Sequence, residues 1–238
     1  MAKKKLLKVG SRVIPGSSGA AGGQIQIGTE GWWDINGAID CCVGAYQAVG
    51  VPDYATSLIN LENPGTYDLT EGVAPGWTAA TGWQFRTVSG TYLQTGIIPD
   101  RNSTNIVRFN NFTLHTPNSI FGAYGATGEA QVDLWANDMG AGMCWWYGGD
   151  EGNFPPVVDW GVFGMAGPQP YRNGLADGVP APGTGWTEPC TGIYLGAVNN
   201  NDTGPIWNGD SDIQAFATYS CTLTPVQMLL VMMAMAAL

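Results

Sequence analysis

The sequence predicts an all-β sandwich, and three observations support this prediction. Glycine and proline are abundant, at 35 and 15 of 238 residues, and occur along the whole chain. The 10 Trp and 9 Tyr fall in short stretches that are rich in β-branched residues, a composition typical of strands. Turn residues separate these stretches at intervals typical of a sandwich. A chain of this length can bury a large core, and its aromatic content argues against disorder.

The first residues differ in composition from the rest of the chain. Residues 1–30 are basic and then rich in Gly and Ser, as in "PGSSGAAGGQIQIGTEG", and predict an extended N-terminal arm. Residues 31–238 show neither a shift in composition nor an internal repeat. We therefore expect one domain over 31–238.

Candidate strands follow from alternating or β-branched runs, namely "QVDLWAND", "MCWWYGG", "VVDWGVFGMA", "GIYLGAV" and "DIQAFATYS". In "NIVRFNNFTLH", Val107 and Phe109 share one face, and the alternation shifts by one at the pair Asn110–Asn111, which predicts a bulge or tight turn. The pair Asn173–Gly174 is the strongest hairpin signal and predicts a type I′ turn.

The one helix signal lies in the last residues, 224–238. Thr224 is a candidate N-cap, Pro225 suits the first helical position, and Gln227 completes a capping box. The apolar run is shorter than the ~20 residues that span a bilayer. The sequence therefore favours a closing helix, buried against its own domain or a neighbouring subunit, over a membrane anchor.

Several motifs occur in an order that resembles a known superfamily. The segment "DIQAFATYSCTLTPVQ" matches a closing strand and helix through Ile213, Tyr219, Leu223, Thr224 and Gln227, and further matches are "PYRNGLADG", "GIYLGAVNNN", Trp83, Phe85 and "TYLQTG". Residues 38–238 thereby resemble laminin-G-like domains of the concanavalin A-like lectin/glucanase superfamily, especially versions from phage and environmental viral sequences. The resemblance implies a jelly-roll sandwich of two antiparallel sheets, with Trp83, Phe85 and Leu93 facing inward and Gly96 and Gly196 at turns or close backbone approaches.

Charge is distributed unevenly along the chain. All the lysines, Lys3, Lys4, Lys5 and Lys8, lie in the first eight residues, whereas all 19 carboxylates come after these residues. An acidic body repels nucleic acid and anionic membranes, so neither is an expected partner. The basic arm could dock on an acidic neighbouring copy, or it could be a solvated tail. The predicted assembly contacts are these lysines together with three methionines of the helix, Met228, Met232 and Met235. Methionine side chains suit adaptable contacts.

The cysteines and the first residues indicate the cellular compartment in which the protein is made. "MAKKKLLKVGSRV" lacks the uninterrupted apolar run of a secretory signal, so synthesis in a host cytoplasm is expected. Buried free thiols are therefore favoured over a disulfide framework for Cys41, Cys42, Cys144, Cys190 and Cys221. A single bridge, such as Cys144–Cys190, is the alternative.

The sequence lacks the usual signatures of catalysis. Glycosidases need two carboxylates that flank the sugar bond, as in E-x-D-x-E on one strand, but Asp150 and Glu151 are adjacent and Asp133 and Asp138 are oddly spaced. His115 is the sole histidine, and no nucleophile motif accompanies it. These absences predict a protein that is not an enzyme.

Two kinds of binding site remain. Trp145, Trp146 and Tyr147 in "CWWYGGDEGNF" are candidate glycan-binding residues, although Trp145 and Trp146 must face opposite ways in a strand. The alternative is that these aromatic residues only pack in the core. Oxygen-rich loops with Asp150, Glu151 and Asp202 are candidate calcium ligands, with no EF-hand pattern. No other cofactor is expected.

These observations predict a structural protein of a virus or phage particle. In this hypothesis a lectin-like jelly roll contacts other copies of itself and other virion proteins, and it also binds surface glycans for adhesion. The alternatives are a carbohydrate-binding module without a virion role and, third, a glucanase.

Overall fold

The structure, a computed structural model, describes residues 31–35, 39–87, 90–113, 118–127, 130–137, 142–154, 160–180, 183, 186 and 190–238. The predicted arm, residues 1–30 with Lys3, Lys4, Lys5 and Lys8, lies outside the described residues, as do His115 and Asp138. The predictions made for these residues stay predictions.

The described chain is built mainly from short strands. The strands are β1 (Cys42–Gln47), β2 (Thr70–Val73), β3 (Gly76–Thr78), β4 (Gly82–Gln84), β5 (Tyr92–Gln94), β6 (Thr104–Asn110), β7 (Ser119–Tyr124), β8 (Gln131–Asn137), β9 (Gly142–Tyr147), β10 (Asp150–Phe154), β11 (Gly161–Ala166), β12 (Gln169–Arg172), β13 (Leu175–Ala176), β14 (Tyr194–Leu195), β15 (Val198–Asn200), β16 (Pro205–Ile206) and β17 (Asp212–Tyr219). The helices are α1 (Tyr54–Ser57) and α2 (Pro225–Ala236), and 3-10 turns span Ile39–Cys41 and Phe85–Thr87.

These strands form two sheets. The eight-stranded sheet has the order β13-β12-β11-β6-β17-β4-β3, and β1 also pairs with β17. The nine-stranded sheet has the order β10-β9-β8-β7-β14-β5-β2, with β15 and β16 beside this path. Strand pairs are antiparallel, except that β15 runs parallel to β7. The structure confirms the predicted sandwich of two antiparallel sheets.

The main core lies between the inward faces of the two sheets. Trp83, Phe85 and Leu93 belong to it and are at most 2% exposed, as predicted. Burying a side chain of this size stabilises the fold by about 2–3 kcal/mol relative to leaving it in water. Gly196 has a φ of +77°, and a Cβ at that position would lie 2.0 Å from the Phe85 ring. Only glycine lets the backbone pass this close to Phe85.

Helix α2 covers the outer face of the eight-stranded sheet and creates a second core. Thr224 accepts from the backbone N–H of Gln227, and the Gln227 side chain accepts from the N–H of Thr224, so the predicted capping box is confirmed. Arg108 also donates to the carbonyl of Met235 near the end of the helix, at 3.1 Å. None of the helices in the described part of the chain is long and apolar enough to cross a membrane.

The methionines of α2 are already buried within the chain. Met228, Met232 and Met235 are at most 1% exposed and pack in the second core with Ile106 and Val162. The prediction that these three residues contact another copy is therefore wrong, because their side chains contact the sheet of their own chain. The outward apolar residues of the helix region are Val226, Met233 and Leu238.

A disulfide joins Cys41 to Cys221, with Cα atoms 5.8 Å apart. The prediction of free thiols is thus wrong for this pair, whereas Cys42, Cys144 and Cys190 form no disulfide within the described structure. The physical reason is strand pairing: β1 pairs with β17 through Cys42 and Tyr219, and the backbone N–H of Ser220 donates to Cys41. Cys41 precedes β1 and Cys221 follows β17, so the pairing of these two strands places Cys41 opposite Cys221.

The predicted turns are present. Asn173 and Gly174 have φ of +50° and +86° and join β12 to β13, as a type I′ turn requires. Asn111 has a φ of +52° directly after β6, where the sequence alternation shifts.

Candidate functional site

Strand β9 contains the predicted glycan-binding residues, and the strand separates them. Trp145 is fully buried and Tyr147 is 3% exposed, and both lie in the main core. Trp146 is half-buried on the opposite face, as strand alternation predicts. A surface formed by all three residues is therefore excluded, and Trp146 is the member that faces outward.

Trp146 lies between two acidic residues on the neighbouring strands. It is directly opposite Asp133 of β8 and Glu151 of β10. Because paired residues point to the same face and neighbouring strands are about 4.8 Å apart, the three side chains form one row across the outward face. Glu151 is exposed and accepts from the Cys144 Sγ at 3.0 Å.

Asp133 is fully buried in this row. Gln131 donates its Nε2 to the Asp133 Oδ2 at 2.5 Å, and among the described residues the Oδ1 has no hydrogen-bond partner. Burial raises the pKa of Asp133 from its usual 3.8 to about 8; the Gln131 hydrogen bond opposes this shift and the charge of Glu151 adds to it. Near neutral pH, Asp133 is therefore a neutral carboxyl group that can donate as well as accept a hydrogen bond.

Aromatic side chains surround this row. Trp135 of β8 is opposite Cys144, which lies two residues before Trp146 on β9. The Trp135 ring stacks on Trp207, with ring centroids 5.2 Å apart and ring planes 12° apart. Tyr124 contacts Trp207 edge-on at 6.4 Å. Tyr124, Trp135, Trp146 and Trp207 are all half-buried, and we call them the outward aromatic face. The Nε1 atoms of Trp135 and Trp146 have no hydrogen-bond partner within the described structure.

The backbone of Trp207 supports this arrangement. Its φ is +52°, a conformation uncommon for residues other than Gly, Asn and Asp. The carbonyl of Trp207 accepts from the N–H of Ser119 at 3.0 Å, which anchors the segment to β7. The strained residue thus presents its ring to Trp135 rather than to the core.

A polar cavity of about 390 Å³ lies elsewhere, at the end of β6, and is lined by Arg86, Asn111, Thr113 and Asp210. Arg86 is paired with the buried Asp212, at 2.8 Å from its Nε to the Oδ1. Since Asp212 already balances the charge of Arg86 and Asp210 adds a carboxylate, the cavity does not favour an anionic ligand.

The predicted calcium ligands are not brought together. Asp150 and Glu151 are neighbours on β10 and point to opposite faces. Asp202 lies in the turn after β15, where its Oδ1 accepts from the Asn199 Nδ2 at 2.9 Å. No group of three acidic, His or Cys side chains that could hold a metal occurs within the described ranges. Asp150, Glu151 and Asp202 therefore do not share one site, and calcium binding at either loop stays a prediction.

Sequence reasoning missed Asp133, Trp135 and Trp207. The odd spacing of Asp133 and Asp138 predicts no acid pair on one strand, but the acidic partner of Asp133, Glu151, is on another strand. A usable signal was present, since an acidic residue between the apolar Val132 and Leu134 has to face away from the core. No pattern around Trp207 predicts that its ring stacks on Trp135.

No protein-family model and no curated protein sequence matches the chain. Among solved structures, the chain is similar to a Trypanosoma rangeli sialidase, with a TM-score of 0.58 at 14% identity over 83% of this chain and 33% of that one. It is also similar to the botulinum neurotoxin serotype D ligand-binding domain in complex with N-acetylneuraminic acid, with a TM-score of 0.53 at 11% identity over 81% of this chain and 50% of that one. The chain thus spans a third to a half of these proteins. At such identities the likeness shows a shared β-sandwich fold.

The likeness also corrects the prediction that the chain is not an enzyme. A sandwich of this kind occurs in a sialidase, so the lack of paired acids on one strand does not exclude an enzyme. The row of Asp133 and Glu151 illustrates the point, because it places two carboxyl groups on one face from different strands. With 33% of the sialidase covered at 14% identity, no activity is established by the likeness.

Proposed function

We propose that this chain is a glycan-binding module and that it binds through the outward aromatic face. Its structural neighbours include a toxin domain with bound N-acetylneuraminic acid and a sialidase in complex with sialic acid, which supports a carbohydrate ligand for this fold. The observation on which the proposal depends is the stacked pair of Trp135 and Trp207, held at the surface by a left-handed backbone at Trp207.

A backbone conformation of this kind costs on the order of 1–3 kcal/mol and often occurs at functional sites. An indole that is half in water and half packed offers a flat apolar face on which a sugar ring can stack. The exposed carboxylate of Glu151 adds an acceptor beside Trp146. A broad face with few polar groups suits an extended chain of sugars.

The charge of the site favours neutral glycans. Glu151 is next to the face, and the chain has a formal net charge of −10. An acidic sugar would approach against this field, so we expect neutral oligosaccharides to bind more tightly than sialylated ones.

A glycan array with purified protein tests the proposal. Trp207→Ala and Trp146→Ala should each reduce binding at least tenfold, whereas Trp160→Ala should not. Trp160 is a matched control because it is 65% exposed and precedes β11 of the eight-stranded sheet. Thermal melting would confirm that all variants are folded. Failure to bind any glycan, or an equal loss in all three variants, would contradict the proposal.

The virion role, the contacts with other virion proteins and the localisation that the sequence suggested stay predictions. They depend on the viral character of the sequence resemblance and on the basic arm. Size-exclusion chromatography at low and high salt, with and without residues 2–8, would test them. A multimer that dissociates as salt is added supports the virion role, and a monomer at every salt concentration contradicts it.

A further inference from the structure

A second cavity lies apart from the outward aromatic face, where the loop before β2, the loop between β5 and β6 and the end of β17 meet. Its volume is about 200 Å³, and its lining includes Tyr67, Ile98, Asp100, Ser103 and Ser220. The lining therefore combines apolar surface with a carboxylate and hydroxyl groups.

Tyr67 is held at this cavity by an unusual backbone. Its φ is +59°, and its side chain is 47% exposed. The buried Tyr46 donates its hydroxyl to the carbonyl of Tyr67 at 2.6 Å. The ring lies over Gly96, with its Cδ1 3.6 Å from the position that a Cβ of that glycine would occupy. Gly or Asn would satisfy such a turn with less strain, so the turn alone does not require a large exposed ring.

Asp100 is fixed on the other side of the cavity. Its Oδ1 accepts from the backbone N–H of Asn102 at 2.7 Å and from the Ser103 Oγ at 3.2 Å. In turn, the N–H of Asp100 donates to the Ser103 Oγ at 2.8 Å. Within the described structure no hydrogen bond engages the Oδ2, which remains as an acceptor.

The loop that contains Asp100 is itself anchored. The hydroxyl of Tyr147 donates to the carbonyl of Arg101, and the Thr222 Oγ1 donates to the carbonyl of Asn102 at 3.0 Å. The carbonyl of Ser103 accepts from the N–H of Gly167 at 3.1 Å. Binding to groups that are already in place avoids the entropy loss of ordering them, so this loop is suited to hold a ligand.

We infer that this cavity binds one neutral pyranose ring, such as the end residue of a glycan. A pyranose has an apolar face that can pack on Tyr67 and Ile98 and hydroxyl groups that can donate to Asp100. The volume is below the roughly 300–1,000 Å³ of pockets for drug-sized ligands, so it suits a single ring. The carboxylate of Asp100 repels an acidic sugar. This inference rests on the proposed glycan binding and adds a separate subsite to it.

The test measures binding of neutral methyl pyranosides and of N-acetylneuraminic acid by saturation-transfer NMR and calorimetry. Tyr67→Asn removes the ring while keeping a residue that tolerates the left-handed backbone. Asp100→Asn keeps an oxygen for Asn102 and Ser103 while removing the charge. Each substitution should weaken binding of the best neutral pyranoside at least tenfold, whereas Trp160→Ala, at an exposed tryptophan outside both sites, should change it less than twofold.

The outcomes separate this inference from the proposed function. Pyranoside binding that survives both cavity substitutions but is lost in Trp146→Ala would overturn the cavity site and leave the outward aromatic face in place. Tighter binding of N-acetylneuraminic acid than of any neutral sugar would also overturn the inference. A native protein that binds neither monosaccharides nor oligosaccharides would end both proposals.

Discussion

Arg86 donates through its Nε and Nη2 to the two carboxylate oxygens of Asp212, at 2.8 and 3.3 Å. Asp212 is fully buried, whereas the Arg86 side chain is 38% exposed. The Asn111 Nδ2 adds a third donor, at 2.7 Å from the Asp212 Oδ2. Since Asp212 pairs with both β4 and β6, these contacts hold three strands together at one end of the eight-stranded sheet.

Removing the cation should therefore destabilise the fold. In Arg86→Met a buried carboxylate loses its charged partner, and we expect the free energy of unfolding to fall by roughly 1–3 kcal/mol, at the low end for a pair that is partly exposed to water. Urea denaturation measures the loss. Arg101→Met, at an exposed arginine, is the control and should stay within ~0.5 kcal/mol of native. Equal stability of native and Arg86→Met would show that the pair does not stabilise the sheet.

Asp133 should make stability depend on pH. Its pKa is raised to about 8 by burial, so the folded protein keeps this proton while the unfolded chain loses it above about pH 4. The folded state thus binds more protons, and its stability should fall as pH rises from about 4 to 8.

Asp133→Asn removes this effect and still offers an oxygen to Gln131. The variant should match the native protein near pH 4 and be more stable at pH 7–8, with a difference that grows by up to about 1.4 kcal/mol per pH unit. Urea denaturation at several pH values measures it. Asp53→Asn is a control, because a backbone hydrogen bond from Thr56 lowers the pKa of the native Asp53 carboxyl. This variant keeps Asp133, so it should show the same decline as the native protein and should not become more stable than it at pH 7–8. A native protein without this decline in stability would contradict the assignment.

The Cys41–Cys221 bridge should stabilise the fold by closing a long loop. Its residues are 180 positions apart, and bridges that close loops typically contribute about 2–4 kcal/mol. Reducing agent should lower the melting temperature of the native protein and leave Cys41→Ser/Cys221→Ser, already destabilised, unchanged. Peptide mapping under non-reducing conditions should find this pair, and recovery of a Cys144–Cys190 peptide would contradict the structure.

Two adjacent methionines in α2 should differ sharply. Met232 is 1% exposed and Met233 is 51% exposed. Met232→Ala should reduce the free energy of unfolding by about 2–4 kcal/mol, because it leaves a cavity beneath the helix, whereas Met233→Ala should cost less than ~0.5 kcal/mol. A comparable loss in both variants would mean that the outward face of α2 is also covered.

Local features were predictable from the sequence, and pairings between distant strands were not. The cap at Thr224 and the turn at Asn173 depend on a few neighbouring residues, so the sequence shows them directly. Alternation on β9 indicates that Trp145 and Trp146 face opposite ways, but the inward residue is known only once the position of the sheet is known. The Cys41–Cys221 bridge and the row of Asp133 and Glu151 depend on registers between strands, which no local pattern specifies.

The position of β17 has a consequence for how the protein is made. Residues 212–219 pair with β6 on one side and with β1 and β4 on the other, so the strand that follows all the others in chain order completes the middle of the eight-stranded sheet. Until a ribosome has released these residues, β1 and β6 lack a shared neighbour, and their apolar faces are open to solvent and to other nascent chains. Sheets with non-local strand pairing of this kind form slowly, and their folding intermediates are prone to aggregate. We therefore expect the nascent chain to depend on chaperones until β17 has left the ribosome.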